Sequence, residues 1–569
     1  MSRFLFATAI AAALLIMQVG LTTALTTRQT IPTVQLDNGT FVGTTIGAVT
    51  RFLGIPFAQS PIGDLRFRLP QPNGPYTGTQ TASTYGPACP QQAITLPIPA
   101  GLVQDAVDFI VNSIYGVILP ASEDCLTINV IKPASATANS RLPVLVDFHF
   151  LFCSASQWIF GDFDFRQSSG GFEIGGTAND GGTIVQRSID LGEPVVYVSM
   201  NYRLSAFGFL ASEEVREAGV GNLGLQDQRE ALRWVQKYIG AFGGDPTKVT
   251  IWGESAGAIS VALQMVTNGG DTEGLFRGAF MESGSPIPVG NISHGQRYYD
   301  DIVQETGCSG SSDTLQCLRG VSYSTLKSAM DNSPMVFSYQ SLILAWLPRV
   351  DGVFLEDRPF QLVQQGSVAN IPFVTGDCDD EGTLFSLCNL NVTTDQEVHD
   401  YMSQIYLPTA PSADIDHLLE LYTDNITEGS PFDTGTANAL TPQYKRLAAL
   451  QGDIVFQGPR RFLLQQRSGE QNTWSFLSKR LKALPILGST HGSDLLNVYG
   501  PGDMTDYLIH FATNLDPNGN TGINWPMYKN SSPQLLTFLD GNQSLIITQD
   551  TYREEGMAYL AQLSLANPI

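Results

Sequence analysis

Four residues, Val249-Thr250-Ile251-Trp252, form a β-branched and aromatic run that leads directly into Gly253-Glu254-Ser255-Ala256-Gly257. The apolar stretch Ala258-Ile259-Ser260-Val261-Ala262-Leu263 follows. This is a strand, a G-x-S-x-G turn and a helix in succession. The glycines let the chain reverse tightly, which lifts the serine hydroxyl above the end of a sheet. Backbone N–H groups at the start of the helix favour negative charge developing there. The pentapeptide alone also fits a glycine-rich turn with a surface serine. The strand before it and the helix after it select Ser255 as a nucleophile. They also demand a sheet for the turn to stand on.

The rest of the chain supplies one. Pro143-Val144-Leu145-Val146 and Pro194-Val195-Val196-Tyr197-Val198 are continuous apolar runs, suited to strands buried on both faces. Phe52 to Pro56 and Leu126 to Val130 also read as strands. Residues 222–240 read as a helix, with Leu223, Leu225, Ala231, Leu232, Val235 and Ile239 at helical spacing. Gly243-Gly244-Asp245-Pro246 ends it. Alternating strands and helices predict an α/β fold around a large, mostly parallel sheet. No repeat or second-domain boundary interrupts the 569 residues.

Composition narrows the function. Only 15% of residues are charged and 10% are aromatic, which excludes a largely disordered chain. A net charge of −23 argues against a nucleic-acid binder and against a binder of anionic membranes. Residues 1–24 read as a signal peptide: Arg3, the apolar run from Phe4 to Met17, and Thr22-Thr23-Ala24 for cleavage. No later run has the length of a membrane span. The expectation is a secreted chain covering 25–569. Six sequons, at Asn38, Asn291, Asn391, Asn425, Asn530 and Asn542, are glycosylation candidates. Export favours disulfides, and proximity suggests Cys89–Cys125, Cys308–Cys317 and Cys378–Cys388, leaving Cys153 over.

A serine nucleophile needs a base and an acid that orients it, and in this architecture both follow it in the chain. Of the six histidines, His294, His399 and His417 lie in polar stretches, and His510 lies in a helix-like run that suits a packed ring. His491 follows Leu484-Pro485-Ile486-Leu487-Gly488, read as a buried strand, and opens the small-residue loop Gly492-Ser493-Asp494. It is the favoured base. The strand Phe373–Gly376 ends in a cluster of four carboxylates, Asp377, Asp379, Asp380 and Glu381. Residue chemistry alone does not choose among them.

Together these motifs resemble the type-B carboxylesterase/lipase family, which includes fungal lipases, sterol esterases and cholinesterases. The resemblance covers nearly the whole mature chain. It rests on Phe52-Leu53-Gly54-Ile55-Pro56-Phe57-Ala58, Ser122-Glu123-Asp124-Cys125-Leu126, Asn201-Tyr202-Arg203, Gly221 to Gln228, and Gly253 to Gly257. It implies an α/β-hydrolase fold in one domain. It also implies Ser255 as nucleophile, Glu381 as acid and His491 as base, with the Ala256 N–H as an oxyanion donor. It supports Cys89–Cys125 and Cys308–Cys317; Cys378–Cys388 rests on proximity alone.

The chain departs from the family at one place. A His-Gly-Gly-Gly loop should follow the strand at 143–148, but His149 is followed by residues 150–169 before Gly170-Gly171-Phe172. These twenty residues stand where one glycine should, and they carry five phenylalanines, Trp158 and the leftover Cys153. They read as intron sequence wrongly read as protein and absent from the mature chain; the rival is a genuine loop that reshapes the acyl pocket. Gly170 and Gly171 are thus provisional oxyanion donors. Within the 89–125 loop, Gln104, Asp105, Asp108 and Asn112 fall on one helical face. Val103, Val107, Ile110, Ile114 and Ile118 fall on another. In the family's lipase branch this loop is a lid, which implies long-chain lipid or sterol esters and contact with a lipid surface. The lid contains no Trp, which weakens a choline-ester reading. A small-ester carboxylesterase is the alternative enzyme, and a catalytically impaired binding or adhesion protein is the alternative outside catalysis. No metal or other cofactor is expected. A monomer and a homodimer are both compatible with the chain.

Overall fold

A computed structural model describes residues 31–112, 120–148, 169–177 and 181–569. The candidate signal peptide, Cys153, His149, Ile114, Ile118 and the 150–169 stretch up to residue 168 lie outside the described residues.

Eleven strands build the main sheet: β1 (Thr44–Ile46), β2 (Val49–Pro56), β3 (Thr127–Pro133), β4 (Leu142–Asp147), β5 (Val196–Met200), β6 (Gly244–Glu254), β7 (Gly278–Glu282), β8 (Phe373–Cys378), β9 (Thr473–Lys479), β10 (Gln534–Leu539) and β11 (Leu545–Gln549). Their lateral order is β11-β10-β9-β8-β7-β6-β4-β5-β3-β2-β1. Strands β4 to β10 run parallel, and antiparallel strands close both edges. The expected α/β fold with a mostly parallel sheet is thus present. A small three-stranded sheet at Thr33–Leu36, Asn38–Val42 and Thr77–Thr81 stands apart.

Every residue of β5, β7 and β8 is buried, which explains their continuous apolar character. Five helices frame the region of interest: α1 (Gln104–Asn112), α2 (Gly182–Asp190), α3 (Leu223–Tyr238), α4 (Ala256–Val266) and α5 (Asp503–Asn514). Helix α2 packs with α5, and α3 packs with α4, so the sheet is sandwiched between helical layers. The core beneath them is contiguous and includes fully buried Trp252, Trp346, Trp474 and Trp525.

Three sequence expectations need correction. The run Leu484–Gly488 is a turn, not a strand: Leu484 N–H donates to the Leu481 carbonyl, Leu487 N–H to that of Pro485, and Ile486 takes φ +69°. The strand of that region is β9, several residues earlier. Cys378 and Cys388 are free thiols and do not pair. Ten residues apart in sequence, they face different surroundings: Cys378 Sγ is 3.4 Å from Ser493 Oγ, whereas Cys388 lies in the turn Phe385–Asn389 near Tyr401 and Tyr406. The structure does join Cys89 to Cys125 and Cys308 to Cys317. Within the candidate lid, α1 turns Ala106 and Ile110 inward, while Val103 and Val111 are each 43% exposed. Val103 precedes the helix and so does not share its inner face.

Candidate active site

Parallel strands carry functional groups at their carboxyl ends, because the loops that leave those ends converge. Here Trp252 of β6 lies level with Asp147 of β4, and Glu254 lies level with Glu282 of β7. The chain then turns at Ser255, which adopts φ +54° and ψ −125°, a conformation that non-glycine residues rarely hold. Two contacts hold it there: Ser255 N–H donates to the Glu282 carbonyl at 2.9 Å, and Ile259 N–H donates to the Ser255 carbonyl at 2.9 Å. Gly253 is required by close approach, since a Cβ there would lie 2.5 Å from the Gly257 carbonyl carbon. The sharp turn read from the pentapeptide is therefore built.

The three residues singled out from sequence meet above this edge. His491 Nε2 lies 2.8 Å from Ser255 Oγ, and His491 Nδ1 lies 2.5 Å from Glu381 Oε2. All three are buried, with Ser255 5% exposed. Glu381 lies three residues past the end of β8, and its other oxygen accepts from Ser283 Oγ and from Cys378 N–H, each at 2.6 Å. Burial raises the Glu381 carboxyl, while the hydrogen bonds from Ser283 and Cys378 oppose that rise and favour the carboxylate form that can face an imidazolium. Burial also holds the His491 imidazole below its ordinary value of 6.5, so it is neutral near pH 7 and able to accept a proton. The rings of Phe456 and Phe385 flank it, with centroids 4.6 and 5.2 Å away.

The remaining acidic residues of the Asp377–Glu381 cluster have other partners. Asp377 pairs with Arg460, and Asp379 and Asp380 pair with Lys482. His510 is packed as expected, between Glu193 and Thr521. The six sequon asparagines are all exposed.

Gly171 and Ala256 line the same apolar cavity as Ser255, together with Val336, Leu344 and Phe456. Gly170 lies one residue behind, in the short strand Ser169–Gly170 that pairs with Ile174–Gly175. No functional role was assigned in advance to Ser283, Glu254, Asp494 or Glu173. Glu254 Oε1 lies 3.4 Å from His491 Nε2, and burial pushes both Glu254 and Asp494 up to about 8. Their signal was positional: Glu254 is inside the serine pentapeptide, and Asp494 lies three residues past His491. Glu173 directly follows the displaced Gly170-Gly171-Phe172 run, and Ser283 carries no local signal.

Comparison with known proteins agrees with this geometry. The model of the carboxylesterase family matches residues 30–559. Lipase 2 of Diutina rugosa is 43% identical over 545 residues, covering 93% of this chain and 96% of that lipase. Secreted lipase 1 of Botryotinia fuckeliana is 40% identical, covering 94% and 93%. The crystal structure of Aspergillus niger EstA superposes with a TM-score of 0.77 at 28% identity, over 95% of this chain and 99% of that one. The fold is that of an α/β-hydrolase. A buried serine on a strained strand-to-helix turn, with this similarity spanning almost the full length, makes the chain a member of the carboxylesterase family, the hydrolases of carboxylic esters.

Proposed function

We propose that the protein is a secreted lipase-type enzyme that cleaves long-chain lipid or sterol esters with a Ser255–His491–Glu381 triad. The observation that carries this reading is the continuous chain of contacts from Ser255 Oγ to His491 to Glu381, 2.8 and 2.5 Å long, beside an apolar cavity. Ser255 Oγ attacks the ester carbonyl carbon while His491 Nε2 accepts its proton. Glu381 accepts from Nδ1–H and stabilises the imidazolium that forms. The oxyanion is met by Ala256 N–H and the Gly170–Gly171 backbone. Collapse of the tetrahedral adduct breaks the bond to the alcohol oxygen, which takes the proton from His491. Water, deprotonated by the same imidazole, then hydrolyses the acyl-enzyme and frees the acid.

An apolar acyl cavity favours long chains over acetate-sized ones. Relatives named secreted lipases, and the apolar N-terminal segment 1–24, support export. Among the described residues, no helix is long and apolar enough to cross a membrane. The test is hydrolysis of p-nitrophenyl esters from acetate to palmitate by the wild type and Ser255→Ala. Activity rising with chain length and lost in the variant is expected. Activity that survives Ser255→Ala overturns the triad. A clear preference for acetate replaces the lipase reading with a small-ester carboxylesterase.

A further inference from the structure

The backbone that must receive the oxyanion is a strained turn. Glu173 N–H donates to the Gly170 carbonyl at 2.9 Å, and the two residues between them, Gly171 and Phe172, take φ +57° and +61°. Positive φ at both central positions is a type I′ arrangement, and it is unfavourable for a phenylalanine. Such a conformation persists only when the surroundings over-determine it. A side chain at Gly171 would meet the cavity wall, its Cβ 2.8 Å from Leu344 Cδ1, and its positive φ favours glycine.

The backbone holds come from two sides. The Phe172 carbonyl accepts from Ser205 N–H at 2.8 Å, and the Glu173 carbonyl accepts from Gln92 N–H at 2.9 Å and Ser205 Oγ at 2.9 Å. The third side is held by a side chain. Glu173 is completely buried, and its Oε2 accepts from Val336 N–H at 2.8 Å. Val336 and Gly171 both line the cavity beside Ser255. One buried carboxyl therefore ties the oxyanion turn to the neighbouring Val336 segment of the cavity wall.

We propose that Glu173 is a positioning residue for ester hydrolysis: its bond to Val336 fixes the Gly170–Phe172 turn in the conformation that receives the oxyanion. The proposal rests on the serine-hydrolase reading above. A positioning role of this kind acts on the tetrahedral state, in which the oxyanion is present, and leaves ground-state ester binding nearly unchanged. Burial pushes Glu173 up to about 8, so it is protonated near neutrality and Glu173→Gln keeps both its charge and its acceptor oxygen.

The experiment compares wild type, Glu173→Gln, Glu173→Leu and Glu173→Asp on p-nitrophenyl butyrate. It also measures the affinity of a trifluoromethyl ketone, which forms a tetrahedral adduct with the serine. Glu173→Leu should lower kcat by about ten- to a hundredfold with KM nearly unchanged, and weaken the ketone by a similar factor. Glu173→Gln should stay close to wild type. A folded Glu173→Leu with wild-type kcat overturns the proposal, as does a Glu173→Gln impaired as much as Glu173→Leu. If Glu173→Leu does not fold, Glu173→Asp, a methylene short of Val336, must show the kcat loss, and full kcat there overturns it. Failure of the underlying reading looks different: the wild type itself would be inactive and a fluorophosphonate would leave Ser255 unlabelled.

Discussion

Ser283 Oγ donates to Glu381 Oε1 at 2.6 Å, on the carboxylate oxygen that does not face His491. The strand β7 ends at Glu282, so the residue that donates to the proposed acid comes from just past the strand beside the one that leads into Ser255. This bond and the one from Cys378 N–H favour the ionised carboxylate against the cost of its burial.

Ser283→Ala should therefore impair the acid without touching substrate. A hydrogen bond to a charged group is worth about 1.5–3 kcal/mol, so kcat/KM should fall by about ten- to a hundredfold, while the thermal midpoint changes little. Steady-state kinetics with a butyrate ester check this. An unchanged kcat/KM would mean that Cys378 N–H alone holds Glu381.

The pH profile follows from the burial of His491. Its pKa lies below 6.5, so the neutral imidazole that accepts the serine proton persists below that pH. As pH falls through the lowered pKa, the ring becomes charged and kcat/KM falls. The acid limb of kcat/KM against pH should have its midpoint below 6.5, measured on a substrate that does not itself titrate. A midpoint above 6.5 would show that the facing carboxyls of Glu254 and Asp494 outweigh desolvation.

Ser255, the proposed nucleophile, was legible because such chemistry demands a local pattern: a strand, a tight turn and a helix, all within the run from Val249 to Leu263. The parallel sheet was legible for a similar reason, since strands buried on both faces must be apolar throughout. The acid was not chosen by pattern, because Asp377, Asp379, Asp380 and Glu381 differ only in their partners across the fold. Arg460 and Lys482, far away in sequence, occupy the other three. The same limit undid two expectations. Leu484–Gly488 has a strand's composition but a turn's dihedrals, and Cys378 and Cys388 are neighbours in sequence that face different parts of the core. Ser283 and Glu173 reach Glu381 and Val336 through long-range hydrogen bonds, which leave no mark on local composition.

The thiols provide a direct check. Alkylation of the unfolded, unreduced protein should label both Cys378 and Cys388 and leave Cys89, Cys125, Cys308 and Cys317 unlabelled. In the folded protein Cys378 should resist labelling, because burial pushes its thiol well above the ordinary value and denies access. A Cys378–Cys388 linked peptide in the mass spectrum would contradict the structure.

Stability should depend on a buried ion cluster behind the acid. Asp550 accepts from both Arg460 and Arg461, and Arg460 also reaches Asp377, all with side chains at most 4% exposed. Burial opposes the charge on Asp550, but the two guanidiniums hold it well below the usual carboxylate range. Its contribution is thus full above the unfolded-state value and is lost as pH falls through the lower folded value. Asp550→Asn leaves two buried guanidiniums undercompensated and should cost about 3–5 kcal/mol in urea unfolding at pH 7. The difference from wild type should shrink at strongly acidic pH.

The stretch 150–169 sets the last prediction. Apart from the pairing of Ser169 with Gly175, residues outside the stretch supply these holds on the turn: Gly170 and Glu173 close it, Ser205 and Gln92 hold its carbonyls, and Val336 holds Glu173. The strand that precedes it, β4, is anchored between β6 and β5 through Asp147, whose Oδ2 accepts from Tyr197 Oη at 2.6 Å. Replacing residues 150–169 by a single glycine should therefore leave the turn seated and kcat/KM on a butyrate ester at or above that of the full chain. Peptide mass spectrometry across 141–187 of the secreted protein tests the natural counterpart, since a peptide passing from His149 almost directly to Gly170-Gly171 identifies the stretch as untranslated sequence. A kcat/KM reduced more than about tenfold in the shortened chain, a loss on the scale of an impaired oxyanion donor, would instead make the stretch a working part of the acyl site.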